Sequence, residues 1–72
     1  MRDPLTHDIE DQLERLVDRH GLAAILESLV ETCEAKAVHL ESNWQDAASA
    51  SVWTVAAKRI VKAQIFANDT DI

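Results

Sequence analysis

The sequence predicts an all-α protein, either a small antiparallel three-helix bundle or a helical hairpin, completed by self-association. Its one glycine, one proline and no tyrosine leave little material for turns or sheets. The apolar residues, 47% of the chain, recur with helical spacing. A length of 72 residues leaves room for a single domain, 1–72, and for a core so small that a lone monomer would be marginally stable.

The first helix is predicted over residues 5–20. Its apolar residues fall within an arc of about 120° at 100° per residue. They are Leu5, Ile9, Leu13, Leu16 and Val17, with His20 on the same side. Gly21 is the only glycine of the chain and is expected to end this helix.

A second helix is predicted over residues 22–41. The face expected to lie in the core consists of Leu22, Leu26, Leu29, Cys33, Lys36 and Leu40, of which Lys36 should extend its amine to solvent. Another side bears what we call the acidic row: Glu27, Glu31, Glu34 and Glu41, with Val38 among them. We expect Cys33 to be a packed, inert thiol because its neighbours on the face are leucines.

A turn and a third helix follow, the helix being predicted over residues 46–67 with a frayed tail at 68–72. Trp44, in the turn, is expected to fold back onto the helix ends as an apolar plug. The inner face of the third helix is predicted to consist of Trp53, Ala56, Ala57, Ile60, Gln64 and Ala67.

The outer face of the third helix is unusual because it is both apolar and basic. Residues 1–46 contain eleven acidic and four basic residues, whereas residues 47–68 contain three basic residues and no acidic one. We call the outer face the basic–apolar stripe: Val52, Val55, Lys58, Arg59, Lys62 and Phe66. A helix in a monomeric bundle should have a polar back, so this pattern suggests a second contact.

The sequence therefore favours a non-enzymatic protein–protein interaction module, a homodimer or a small adaptor. The predicted binding residues are the basic–apolar stripe together with Glu27, Glu31, Glu34 and Val38, which could meet the stripe of another copy. The alternative is a small acidic inhibitor whose carboxylates occupy a basic groove of a host protein by imitating nucleic-acid phosphates. Scattered surface valines without a partner remain the simplest competing explanation.

Other classes of function are disfavoured. His7, His20 and His39 lack partners at metal-binding helical spacing, so neither a metal site nor a cofactor is expected. Three short helices seldom enclose a pocket that would perturb carboxylate pKa values, so no catalytic residue is predicted. A net charge of −6 opposes nucleic-acid binding. Without an apolar leader or spanning segment, we expect a cytoplasmic protein that does not bind membranes.

Part of the chain, about residues 14–63, resembles a family of short helical proteins from bacterial and phage genomes. The matching residues are Gly21-Leu22, Ile25-Leu26-Glu27, Cys33-Glu34, Lys36-Ala37, His39, Asn43-Trp44-Gln45-Asp46, Ala48, Trp53 and Ala56-Ala57. The Asn-Trp-Gln-Asp turn and the Trp–Ala–Ala step are the most specific of these. The resemblance implies an intracellular bacterial or phage setting and brings no catalytic residue with it.

Overall fold

The structure, a computed structural model, describes the backbone of residues 4–72 and the side chains of residues 7–72. This part of the chain folds into three helices and contains no strand: α1 (Pro4–His20), α2 (Leu22–Asn43) and α3 (Ala47–Asp69). The predicted all-α class is confirmed. The helix bounds differ from the predicted ones by at most two residues, and the side chain of Leu5 lies outside the described residues.

The join between α1 and α2 is a single residue, Gly21. Its φ of 85° lies in the region that favours glycine. Its N–H donates to the carbonyl of Val17 over 2.8 Å, which closes the last turn of α1. The join therefore ends one helix and starts the next without a loop, as the position of the only glycine predicts.

The C-terminal segment is tied to this join, and the prediction of a frayed tail at 68–72 is wrong. Helix α3 continues to Asp69, and the N–H of Ile72 donates to the carbonyl of Ala67 over 2.9 Å. The carbonyl oxygen of Ile72 accepts hydrogen bonds from the N–H groups of Leu22 and Ala23. The segment thus satisfies donors that the first turn of α2 would otherwise leave unpaired.

Helices α2 and α3 form an antiparallel hairpin with a core of small residues. The buried positions are Val30, Cys33 and Ala37 of α2 and Ala50, Ala57 and Ala67 of α3. The small alanine side chains allow the two helices to approach closely, as the predicted inner face of α3 requires. Trp53, Ile60 and Val61 pack against the buried cluster from its edges.

One predicted core position of α2 is wrong. Leu29 is 42% exposed, and the side of α2 that meets α3 is instead centred on Val30, Cys33 and Ala37. These three residues lie about 40–100° around the helix from Leu29. The apolar arc of α2 is wide enough to serve two sides, and only one of them faces α3. Lys36 does reach outward as predicted, with its amine 5.8 Å from the centroid of the Trp53 ring.

The turn between α2 and α3 is held by polar contacts rather than by a plug. Trp44 is 69% exposed, so its predicted insertion among the helix ends is wrong. Its indole N–H donates to Nε2 of His39 over 3.1 Å, which holds the ring on the outside of α2. At the start of α3, the Asp46 carboxylate accepts from the N–H of Ser49 over 3.0 Å and caps the helix.

Helix α1 extends away from the hairpin that α2 and α3 form. It contacts α2, but among the described residues no Cα of α1 lies within 8 Å of α3. The radius of gyration is 14.4 Å, whereas a compact domain of this length has about 11 Å. Of the two predicted architectures, the structure adopts the helical hairpin, which consists of α2 and α3. Helix α1 extends from this hairpin.

Candidate interaction surfaces

The basic–apolar stripe lies on the outside of α3. Val52, Val55 and Phe66 are 68%, 44% and 61% exposed, and the side chains of Lys58, Arg59 and Lys62 are exposed between them. The centre of the stripe lies about 155° around the helix from the side that faces α2. The hairpin therefore covers none of these three apolar side chains, and the stripe is available to another molecule.

The acidic row lies on a separate side of α2. Glu27, Glu31 and Glu34 are exposed, and Val38 among them is 63% exposed. The row is centred about 100° around α2 from the side that meets α3. Within one chain the row and the stripe thus belong to different outer faces, and a contact between them would require two molecules.

A third surface, which sequence reasoning missed, is an apolar groove between α1 and α2. We call it the elbow groove. Its volume is about 460 Å³. It is lined by Leu13, Leu16, His20, Ala24, Ile25, Ser28, Leu29 and Thr32. The apolar arc of α1 predicts a buried face, but the arc does not show that this face borders a groove rather than a closed core.

The walls of the elbow groove are exposed because nothing in the chain lies over them. Leu13 and Leu16 on α1 are 43% and 42% exposed, and Leu29 on α2 is 42% exposed. Ile9, one turn before Leu13, is 50% exposed. Helix α3 of the same chain cannot cover the elbow groove, because it packs about 120° around α2 from the centre of the groove.

Metal binding requires His, Cys, Asp or Glu side chains that lie close together. Residues 7–72 contain no group of three or more His, Cys, Asp or Glu side chains that could hold a metal ion. Cys33 is buried between α2 and α3, as predicted for a structural thiol. His39 lies between Trp44 and the side-chain amide of Asn43, which is 2.7 Å from its Nδ1.

Within the described part of the chain, none of the helices combines the length and the apolar character needed to cross a membrane. Comparison of the chain with protein-family models, with curated proteins and with solved structures finds no match. The resemblance to short bacterial and phage helical proteins stays a prediction.

Proposed function

We propose that this protein is a non-enzymatic helical interaction module that associates with a second copy of itself. The supporting observation is the poor burial of its large side chains. None of the described side chains of large volume is fully buried. Those that remain at least 42% exposed are Ile9, Leu13, Leu16, Leu29, Val38, Trp44, Val52, Val55, Ile65, Phe66 and Ile72.

The total surface area supports the same proposal. The chain exposes 5802 Å², whereas a compact monomer of 8.0 kDa exposes about 4,450 Å². The excess is about 1,350 Å² on this scale. A stable protein–protein interface buries about 800 Å² on each partner. A second copy could therefore bury the excess through one interface of ordinary size, with surface left for a further contact.

Charge complementarity supports a role for the stripe and the row in such contacts. The three bases of the stripe lie on one side of the hairpin, and the exposed glutamates of the row lie on another. Contact between the stripe of one molecule and the row of another would place opposite charges together and bring Val38 against apolar residues. Such charges would set the register and exclude wrong partners more than they would raise affinity.

Sedimentation equilibrium over micromolar to millimolar concentration tests the proposal. A mass of twice 8.0 kDa is expected, and a monomer throughout would contradict self-association. The double variant Val55→Glu with Phe66→Glu tests the stripe by placing charge in its apolar part. The matched control is Ala47→Glu with Thr54→Glu, which adds the same charge to exposed positions on another side of α3.

A second candidate function, the acidic inhibitor, is favoured by one observation. Glu27, Glu31 and Glu34 project to solvent from one side of α2, and no basic residue lies between them in the sequence. Such a row could occupy a basic groove of a larger protein. Binding would then weaken steeply between low and moderate salt, whereas an apolar contact would not. If a variant with all three glutamates changed to basic residues still bound its target, this candidate function would be contradicted.

A further inference from the structure

We propose that α1 of a second copy lies antiparallel along α1 and inserts its Ile9 side into the elbow groove, so that two chains pair about a two-fold axis near Leu13. This inference rests on the self-association proposed above and names the surface that carries it. It differs from the contact between the stripe and the row, because it uses residues of α1 and the start of α2.

The elbow groove has two helical walls and is open on its third side. Its two walls are α1 and α2, and α3 packs on a different side of α2. The exposed apolar surface extends from the groove along α1 as far as Ile9, and its apolar side chains are 42–50% exposed. The missing element must therefore be apolar along one side for about three turns. Helix α1 itself meets this requirement, with Ile9, Leu13 and Leu16 on one side.

The spacing of the apolar residues fixes the register of two antiparallel α1 helices. If Leu13 meets its own copy at the axis, Ile9 of each chain lies opposite Leu16 and Val17 of the other. Leu16 lines the elbow groove beside Ile25 and Leu29. The antiparallel register thus delivers Ile9, which is more exposed than Leu13 and Leu16, to the open groove of the second chain, and it does so twice.

The charges that border the apolar side of α1 select the same direction. Asp8 and Arg19 lie on one edge of this side, about 20° apart around the helix and at opposite ends of it. With Leu13 on the axis, Arg19 of each chain comes beside Asp8 of the other. A parallel pair would keep Asp8 of one chain and Arg19 of the other about 16 Å apart along the helix axis, so the opposite charges could not meet.

The α2 wall of the elbow groove is held in place within one chain. Gly21 connects α1 to α2 without a loop, and the carbonyl of Ile72 bonds the first N–H groups of α2. These contacts fix the start of α2 independently of the partner. This wall is therefore formed before a second copy binds, which lowers the ordering cost of binding.

Charge reversal at the two ends tests the direction of the pair. We expect Asp8→Arg alone and Arg19→Asp alone to weaken dimerisation roughly tenfold at low salt, because each creates two like-charge contacts. The double variant, Asp8→Arg with Arg19→Asp, should restore it, since opposite charges meet again in the antiparallel pair. In a parallel pair, neither the single nor the double changes would give this pattern of loss and rescue.

Cross-linking supplies an independent readout. In a Cys33→Ala background, Leu13→Cys should form a covalent dimer on mild oxidation, because residues on the two-fold axis come within disulfide reach. Glu14→Cys is the matched control: it lies about 100° from Leu13 around α1 and should remain monomeric under the same conditions. Far-UV circular dichroism verifies that each variant keeps its helices.

The outcomes separate this inference from the proposed function. A wild-type chain that sediments as a monomer would overturn both. A wild-type dimer that is unaffected by Asp8→Arg, together with no cross-link at Leu13→Cys, would overturn the α1 pairing and leave self-association standing. The antiparallel pair would be established by three results together. Each single charge reversal weakens dimerisation, the double reversal restores it, and only Leu13→Cys forms the cross-link.

Discussion

A backbone carbonyl occupies the space beside Gly21 where a side chain would begin. A Cβ at this residue would lie 3.0 Å from the carbonyl oxygen of Ile72. The φ of 85° adds strain for any residue with a side chain. Glycine is therefore needed at this point for two reasons, the backbone conformation and the close approach of the C-terminal segment.

Substitution of this glycine should be costly. We expect Gly21→Ala to lower the free energy of unfolding by about 1–3 kcal/mol, the usual cost of a backbone held in a disfavoured region. Urea unfolding followed by circular dichroism measures the change. Gln12→Ala, at an exposed position inside α1, is the control and should leave stability within about 0.5 kcal/mol of wild type. Equal stability of the two variants would show that the tight join is not required.

The Asp46 side chain makes the start of α3 sensitive to acid. Hydrogen bonds from the backbone N–H and the side chain of Ser49 hold the pKa of this carboxyl below its ordinary value of 3.8. A carboxyl with a lowered pKa in the folded state contributes stability above its unfolded pKa, and this contribution is lost as the pH falls through the folded value.

The contribution can be isolated with Asp46→Asn, which keeps a capping oxygen but does not titrate. The wild-type protein should lose more stability than Asp46→Asn between about pH 5 and pH 2, the range in which the aspartate protonates. Chemical unfolding at a series of pH values gives the comparison. Parallel losses in the two proteins across this range would mean that other carboxylates account for the acid sensitivity.

At the scale of elements, the α2–α3 hairpin is held by close contact between small side chains. Ala50, Ala57 and Ala67 are at most 4% exposed, and the larger Trp53 and Ile60 only flank them. Close approach of two helices leaves no room for additional methylene groups. The stability of the hairpin therefore depends on the smallness of these positions as much as on their apolar character.

Enlarging a buried alanine should separate the helices. We expect Ala57→Leu to destabilise the protein by about 1–3 kcal/mol, which is typical of overpacking. Ala63→Leu places the same side chain at an exposed position of α3 and should have little effect on thermal unfolding. Similar melting temperatures for the two leucine variants would show that the contact between α2 and α3 can widen without cost.

Helix α1 is less stabilised by the rest of the chain than α2 and α3 are. A helix of 17 residues is marginal by itself in water, because nucleation is costly and few hydrogen bonds follow. Its contact with α2 leaves Leu13 and Leu16 more than 40% exposed. The element is thus the part of the structure that would gain most from a partner, which is why the proposed dimer is built on it.

At the scale of the whole molecule, stability should depend on concentration. Among residues 7–72 no large side chain is fully buried, so this part of the chain has little core of its own and dimerisation would supply part of the free energy of folding. We expect the midpoint of thermal unfolding to rise steadily between about 1 and 500 μM protein, following mass action. Differential scanning calorimetry measures it. A midpoint independent of concentration over this range would argue for a self-sufficient monomer.

The all-α class, the three helices with bounds accurate to two residues, and the inner face of α3 could all be predicted from the amino-acid sequence. These features follow from local physics. Periodicity, a single glycine and a capping aspartate act within one or two turns of helix. The exposure of the stripe and the row could also be read from the pattern, since each lies away from its helix's alanine-rich or leucine-rich side.

Four features depend on how the helices pack together. Helix α1 extends away from the hairpin, Leu29 faces a groove, Trp44 stays outside, and the segment ending at Ile72 caps α2. Helical periodicity says which side of a helix is apolar, but it does not say which other element covers that side. The direction of α1 depends on the backbone angles of one residue, and the ordered C-terminal segment depends on a contact between residues some fifty positions apart.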